Sequence, residues 1–295
     1  MIETDFAFAK INISLDIISK MDNGFHNLKT IMQSVSLYDE ITIECNPSVK
    51  NVSENDISII DPGRSYLPND ERNIAVKAVK IFFNHTGITG YEVRISITKN
   101  IPVCAGLGGG SADGACVLRM MDKLFGTNLK YDTLIELGSA VGSDVPFCVF
   151  GGTMLAEGRG EVLTELPPMP SCFIVICKPL FNFSTPELFG RIDCKKIRIR
   201  PDTDGIVTSL SGNNLQGITR RMYNVFENFL PRGVNDIEDI KYKLLDYGAL
   251  GAVMTGSGPT VFGVYNDESD AKKAYYKLKT DYEDCYLVKP IAKRD

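Results

Sequence analysis

The run Gly106-Leu107-Gly108-Gly109-Gly110-Ser111 is the part of this 295-residue chain best suited to chemistry. Glycines reach backbone angles that other residues avoid, so successive amide hydrogens can converge on one anion. Ser111 is expected to cap the helix that follows, whose positive dipole end and unsatisfied amides favour a phosphate chain. A flexible linker with spare glycines is the bland alternative. It fits poorly, because the run is wedged between an alternating strand, Tyr91 to Thr98, and an apolar helical stretch to about Leu124.

The loop matches neither common nucleotide fingerprint. Counting from Gly106 or from Gly108, the dinucleotide motif meets Ser111 or Asp113 where it wants glycine, and no Gly-Lys-Ser/Thr ending follows. The protein-kinase His-Arg-Asp and Asp-Phe-Gly sequences are absent. A phosphate loop of a third kind is required.

Phosphoryl transfer also needs a group to take a hydroxyl proton and cations to hold the moving charge. Asp144, on the corner Gly142-Ser143-Asp144-Val145-Pro146, and Lys10, in the strand-like Phe8-Ala9-Lys10-Ile11-Asn12, have the right chemistry. Asp144 also reads as a turn residue closing a helix, a reading made less attractive by the negative end of that helix dipole, which disfavours a carboxylate. Lys10 reads equally as an outward-facing charge, since Ala9 and Ile11 point the other way.

Pro102 to Gly114 resembles the phosphate-loop signature of the galactokinase, homoserine, mevalonate and phosphomevalonate (GHMP) kinases. The Phe8–Asn12 segment and Gly256-Ser257-Gly258-Pro259-Thr260-Val261-Phe262-Gly263 resemble the first and third motifs of that family, in the expected order. Asp22-Asn23-Gly24-Phe25-His26-Asn27-Leu28 and Gly142 to Phe147 point, within it, to the branch that phosphorylates the 2-hydroxyl of a CDP-linked methylerythritol.

The resemblance implies ATP and Mg2+ as cofactors, CDP-methylerythritol as substrate, and Lys10 and Asp144 as the catalytic pair. It implies nucleotide binding by Pro102, Gly106, Leu107, Gly108, Gly109, Gly110, Ser111 and Ala112, with Asn73 and Lys99 bordering the adenine and Ser111 the candidate magnesium ligand. Asn12 is expected at the methylerythritol or its phosphate. Phe25 and His26 are expected to provide a flat slot and an edge reader for cytosine, with Thr185, Pro186 and Phe189 supplying a second aromatic. Phe189, beside Leu188, reads equally as a core residue. Asp113 would repel a triphosphate unless it touches ribose or magnesium. A homoserine- or mevalonate-type kinase and a non-catalytic protein of the same fold are the competing readings.

The elements that must carry these residues follow from hydrophobic period. The N-terminus reads as extended to Glu44, broken by a turn at Asp22 to Gly24. Asn69 or Asp70 is expected to cap a helix ending at Gly87, and a second helix spans Tyr131 to Val141. The proline-rich Leu166–Pro170 stretch suggests one boundary, giving domains 1–165 and 166–295. In the second half helices are expected at Ser184–Arg191, Asn213–Leu230, Val234–Tyr247 and Ser269–Thr280. Strands are expected at Cys172–Lys178, Ala249–Thr255, Thr260–Tyr265 and Cys285–Pro290. The fold class is α+β. The family implies an N-terminal α/β layer domain with the glycine-rich loop and a C-terminal ferredoxin-like α+β domain.

Composition agrees with a globular protein. Hydrophobic residues make up 44% and the net charge is −5, which gives no basic field for nucleic acid. Lys195, Lys196, Arg198 and Arg200 read as a solvated strand face. No apolar run approaches the roughly 20 residues of a membrane span and no signal peptide is evident, so a cytoplasmic protein is expected. Eight cysteines without Cys-x-x-Cys spacing read mostly as buried thiols, and two histidines give little basis for a zinc site. A monomer or weak homodimer is expected.

Overall fold

A computed structural model describes residues 1–49 and 53–293. The chain forms two compact units: Met1–Ala9, Tyr38–Ile101 and Gly108–Phe150, and Lys10–Leu37, Pro102–Leu107 and Gly151–Asp295. The chain therefore crosses from one to the other several times, instead of once near Leu166. Leu166 lies inside the second unit, its amide bonded to the Thr153 carbonyl at 3.0 Å. The prolines follow a hairpin and do not separate two cores.

In the first unit, the start of strand β1 (Ile2–Lys20) and the end of β2 (His26–Pro47) join β3 (Asp56–Asp61) and β4 (Tyr91–Thr98) in the order β3-β4-β2-β1. β4 runs antiparallel to β2, pairing Glu40 with Thr98 and Pro47 with Tyr91. Alternation along β4 sends Val93, Ile95 and Ile97 into the core. Helices α1 (Ile74–Thr86), α2 (Gly109–Phe125), α3 (Tyr131–Val141) and α4 (Val145–Phe150) complete the layer. Val79, Phe82, Val117, Met121, Leu137 and Val145 close the core against Ile41 and Ile43. α1 is capped by Asn73, whose side chain accepts from the Ala75 amide at 3.0 Å. The expected caps Asn69 and Asp70 lie ahead of it, and Asp70 instead pairs with Arg72.

The second unit contains the remainder of β1 and β2, the hairpin β5 (Thr153–Gly158) and β6 (Val162–Glu165), and a separate antiparallel sheet. That sheet comprises β7 (Phe173–Lys178), β9 (Gly251–Met254), β10 (Val261–Tyr265) and β11 (Asp284–Val288), in the order β11-β7-β10-β9. Numbered along the chain this is 4-1-3-2, the ferredoxin-like arrangement expected. α8 (Asp236–Asp246) and α9 (Glu268–Lys279) cover it through Ile240, Leu244, Ala274 and Leu278.

Between β7 and α8 the chain is less regular than the sequence suggests. α5 (Thr185–Arg191) is present, and α6 (Thr203–Ser211) is an additional helix. The helix expected over Asn213–Leu230 is instead α7 (Leu215–Thr219), the short strand β8 (Tyr223–Asn224) and a 3-10 turn, Val225–Phe229. Asn224 breaks it: its Oδ1 accepts from the Phe226 amide, while Nδ2 donates to the Met254 and Gly256 carbonyls at 2.7 and 2.8 Å. Nor is Lys195–Arg200 a strand face. Cys194–Lys196 is a 3-10 turn, and Arg200 reaches the buried Asp16 at 2.7 Å. Among the described residues no helix is long and apolar enough to cross a membrane. All eight cysteines are free thiols, with Cys104 exposed rather than buried.

Candidate active site

In the second unit, Lys10 to Ile17 of β1 is buried without interruption. Apolar Ile11, Ile13 and Leu15 alternate with Lys10, Asn12, Ser14 and Asp16, so the polar face of the strand is covered as well. Lys10 is 4% exposed, which removes the reading of an outward-facing charge. Its Nζ donates to Asn12 Oδ1 at 2.7 Å. Asn12 Nδ2 donates to Thr30 Oγ1 at 2.8 Å, and the Asn12 amide to Thr255 Oγ1 at 2.9 Å. The Thr255 hydroxyl in turn faces Asn12 Oδ1 and the Gly106 carbonyl, each at 3.3 Å.

The entrance of the glycine loop is thereby fastened to Lys10 and Asn12. The Lys10 amide donates to the Leu107 carbonyl at 2.9 Å. Gly106 has φ +73°, and a β-carbon there would run into the Thr255 carbonyl oxygen. The turn Thr255–Gly258 closes with a Gly258 amide bond to the Thr255 carbonyl at 2.9 Å. A β-carbon at Gly256 would stand 3.3 Å from Lys10 Nζ. Thr255 and Asn224 hold this corner together, and neither has a local sequence signature; only the adjacency of Thr255 to the Gly256–Gly263 motif hints at it.

The expected cytosine residues also lie in the second unit. The turn after β1 is closed by the Met21 amide on the Phe25 carbonyl, at 2.8 Å. Phe25 is 52% exposed, with the Arg159 guanidinium carbon 4.9 Å from its ring centre. His26 is buried and stacks on Phe189 at 5.1 Å, and Phe189 meets Phe226 edge-on at 4.9 Å. At stacking distance the two rings leave no space for a base between them. Phe189 therefore backs His26 and is not a free wall of a slot. His26 Nε2 has no hydrogen-bond partner among the described residues. Burial, with Lys20 nearby, holds the imidazole pKa below its ordinary 6.5. Thr185 and Pro186 open α5, and the Thr185 hydroxyl lies 2.8 Å from that of Ser257.

In the first unit, α2 begins at Gly109, with Gly108 as its cap at φ +70°. Ser111 is thus the third helical residue and not the cap. The first intrahelical bond runs from the Ala112 amide to the Gly108 carbonyl at 2.8 Å. The amides of Gly109, Gly110 and Ser111 belong to the first turn, which has no helical acceptors to offer them. Such a turn suits an anion.

Lys99 is committed elsewhere. Its buried ammonium pairs with Asp39 and, at 2.8 Å, with Asp113. Asp39 Oδ1 also accepts from the Asn100 and Ile101 amides, at 2.6 and 2.8 Å. Lys99 thus anchors the chain leading into the loop and does not offer its charge to an adenine. Asp113 points inward to Lys99 and not toward the loop. Burial, reinforced by Asp39, raises its carboxyl to about 7. Asn73 is likewise committed, capping α1 and donating to the Pro68 carbonyl at 2.9 Å.

Asp144 immediately precedes α4, and its carbonyl accepts from the Cys148 amide at 3.2 Å. It stands at the beginning of a helix and not only at the end of α3. The dipole argument against a carboxylate at this corner therefore falls away.

The profile of the GHMP kinases N terminal domain matches residues 73–152 and that of the GHMP kinases C terminal domain residues 212–284. The chain belongs to the GHMP kinase family, and with it to the ATP-dependent small-molecule kinases. It is 41% identical over 285 residues to the 4-diphosphocytidyl-2-C-methyl-D-erythritol kinase of Clostridium kluyveri, covering 97% of this chain and 99% of that one. The enzyme of the same name from Clostridium botulinum (strain Alaska E43 / Type E3) is 42% identical with the same coverage. The crystal structure of a 4-(cytidine 5'-diphospho)-2C-methyl-D-erythritol kinase superposes with a TM-score of 0.80 at 25% identity, covering 98% of this chain and 99% of that one.

Proposed function

We propose that the chain transfers the γ-phosphoryl group of ATP to the 2-hydroxyl of 4-diphosphocytidyl-2-C-methyl-D-erythritol, in the non-mevalonate route to isoprenoid precursors. The observation that carries this reading is the buried Lys10 ammonium, held by Asn12 at the entrance of the glycine loop. The near full-length likeness to enzymes of that name supports the choice of acceptor.

In this reading the first-turn amides of α2 hold the triphosphate. Asp144 takes the proton of the acceptor hydroxyl as its oxygen bonds to the γ-phosphorus. The bond to the β-phosphate oxygen breaks and ADP leaves. Lys10 holds the developing negative charge, and Asn12 fixes the direction of its ammonium. Phe25 stacks on the cytosine while His26, backed by Phe189, reads its edge through Nε2.

Magnesium fits the residues present. Among the described residues no cluster of three or more histidine, cysteine or carboxylate groups forms a cage, and an ion carried on the nucleotide needs few protein ligands. The Ser111 hydroxyl would hold it. When bound, it would neutralise charge on the phosphates.

ADP release with ATP, magnesium and the CDP acceptor, beside homoserine, mevalonate, phosphomevalonate and galactose, tests the reading. Turnover with the CDP compound alone is expected. Turnover with another acceptor in its place would discard the cytosine assignment and keep the phosphate loop.

A further inference from the structure

The two residues given to the cytosine are held in different ways. His26 is buried and backed by the Phe189 ring at 5.1 Å. Phe25, one residue earlier, is half exposed, and among the described residues no second aromatic ring packs on it. Its backbone is tied into the turn: the amide donates to Asn23 Oδ1 at 3.1 Å, and the carbonyl accepts from the Met21 amide at 2.8 Å. Its ring is met by the Arg159 guanidinium, whose carbon lies 4.9 Å from the ring centre, within the reach of a cation–π contact.

The hairpin of β5 and β6 delivers Arg159 to that ring. The ladder between β2 and β5 ends with Leu28 opposite Gly158, so Arg159 and the turn before His26 project past the same end of it. Positive φ at Gly158 and Gly160, +70° and +115°, turns the chain back, and the Gly160 amide closes the turn on the Glu157 carbonyl at 3.0 Å. A β-carbon at Gly158 would press on the Glu161 carboxylate at 3.1 Å. That carboxylate accepts from the Arg159 amide at 2.6 Å but stands 3.9 Å from the Arg159 Nε, too far for a hydrogen bond. Glu161 thus anchors the Arg159 backbone and leaves the guanidinium to the ring.

Resting on the reading that Phe25 stacks on the cytosine, we propose that Arg159 is a positioning residue for the cytidine end of the substrate, its guanidinium bracing one face of the Phe25 ring and leaving the opposite face to the base. An exposed side chain loses rotamer freedom when a ligand stacks on it, and a ring already held in place loses less. A planar guanidinium suits this task better than an ammonium, because it stacks on an aromatic face and is more weakly hydrated. Each residue that meets the base then has a planar partner behind it, Phe189 behind His26 and Arg159 behind Phe25.

Steady-state kinetics of the whole protein with magnesium–ATP and the CDP acceptor tests this, on Arg159→Gln, Phe25→Ala and the double variant. The Arg159 side chain is partly exposed at a hairpin tip, so these variants are expected to fold. Arg159→Gln should raise the KM of the CDP acceptor about 2- to 5-fold, with kcat and the KM of ATP unchanged. In the Phe25→Ala background the same substitution should have no further effect, since no ring remains to brace. An equal rise in both backgrounds would mean that Arg159 touches the substrate itself, and overturns the proposal. An effect that falls on kcat in place of KM also overturns it. Arg159→Lys keeps the charge and loses the planar group, so its KM should stay raised; full recovery would assign the effect to charge alone and overturn the bracing role. Native turnover of the CDP compound with an unchanged KM in Arg159→Gln defeats this proposal and leaves the cytosine reading standing. Native turnover of another acceptor in its place defeats both.

Discussion

The Lys10 ammonium stands 2.7 Å from the Asn12 side-chain oxygen, two residues along one strand and on the same face of it. One of the contacts that orient it is therefore made by a neutral neighbour. A hydrogen bond to a charged group contributes about 1.5–3 kcal/mol. Asn12→Ala should accordingly lower kcat/KM by about 10- to 150-fold. Steady-state kinetics on the folded variant checks this, and an unchanged kcat/KM would mean that Lys10 is oriented without Asn12.

Asp144→Asn keeps the shape of the corner before α4 and removes the proposed base. Turnover should fall by about 10²- to 10⁴-fold while nucleotide still binds. Rapid-quench measurement separates the two. Loss of nucleotide binding from folded protein would move Asp144 out of the role given to it.

Phe25→Ala should raise the KM for the CDP substrate and spare kcat. One aromatic stack contributes about 1–3 kcal/mol, or roughly 5- to 150-fold in KM. The ring is half exposed and its main observed partner is Arg159, so stability should barely change. An unaltered KM removes Phe25 from cytosine binding.

His26 titrates below its ordinary 6.5 because burial opposes its charge and Lys20 repels it. The folded state binds fewer protons than the unfolded chain between the two values. Stability from this group is therefore present above about pH 6.5 and declines as pH falls below it. Urea unfolding of the wild type should lose more stability on acidification than His26→Asn does. Equal slopes, or an imidazole NMR midpoint above 6.5, would contradict the assignment.

Gly106 and Gly24 both have positive φ, yet their substitution should differ. Gly24→Ala meets nothing within 4 Å and should cost only the left-handed penalty, about 1–2 kcal/mol. Gly106→Ala adds a collision with the Thr255 carbonyl, so its loss should be clearly larger and accompanied by weaker nucleotide binding. Urea midpoints for the pair decide it.

The fold was legible wherever hydrophobic period and local breakers act together. β4 and α3 fall at the expected residues because each has a clean alternation or apolar stripe with a stop at its end. The stretch Asn213–Leu230 was misread because Asn224 takes its conformation from bonds to Met254 and Gly256, which no local pattern announces. The same reason hides Thr255 and Asp39 from the site. Lys99 and Asn73 were legible as polar residues near the loop, but their partners were not, and the partners give them anchoring and capping contacts. His26 and Phe189 do meet, as two walls pressed together.

The bond between the Asn12 amide and the Thr255 hydroxyl joins positions 243 residues apart. During synthesis on the ribosome, the strand bearing Lys10 emerges long before Thr255 and waits for that hydroxyl before its polar face is covered. Closing so long a loop carries a large but slowly growing entropic cost, so the corner forms late. A nascent chain stopped before Gly256 would carry the lysine, the glycines and the aspartate without the turn that holds Lys10 and Gly106 in register. In the proposed reading, competence for phosphoryl transfer thus waits on the synthesis of Thr255–Gly258.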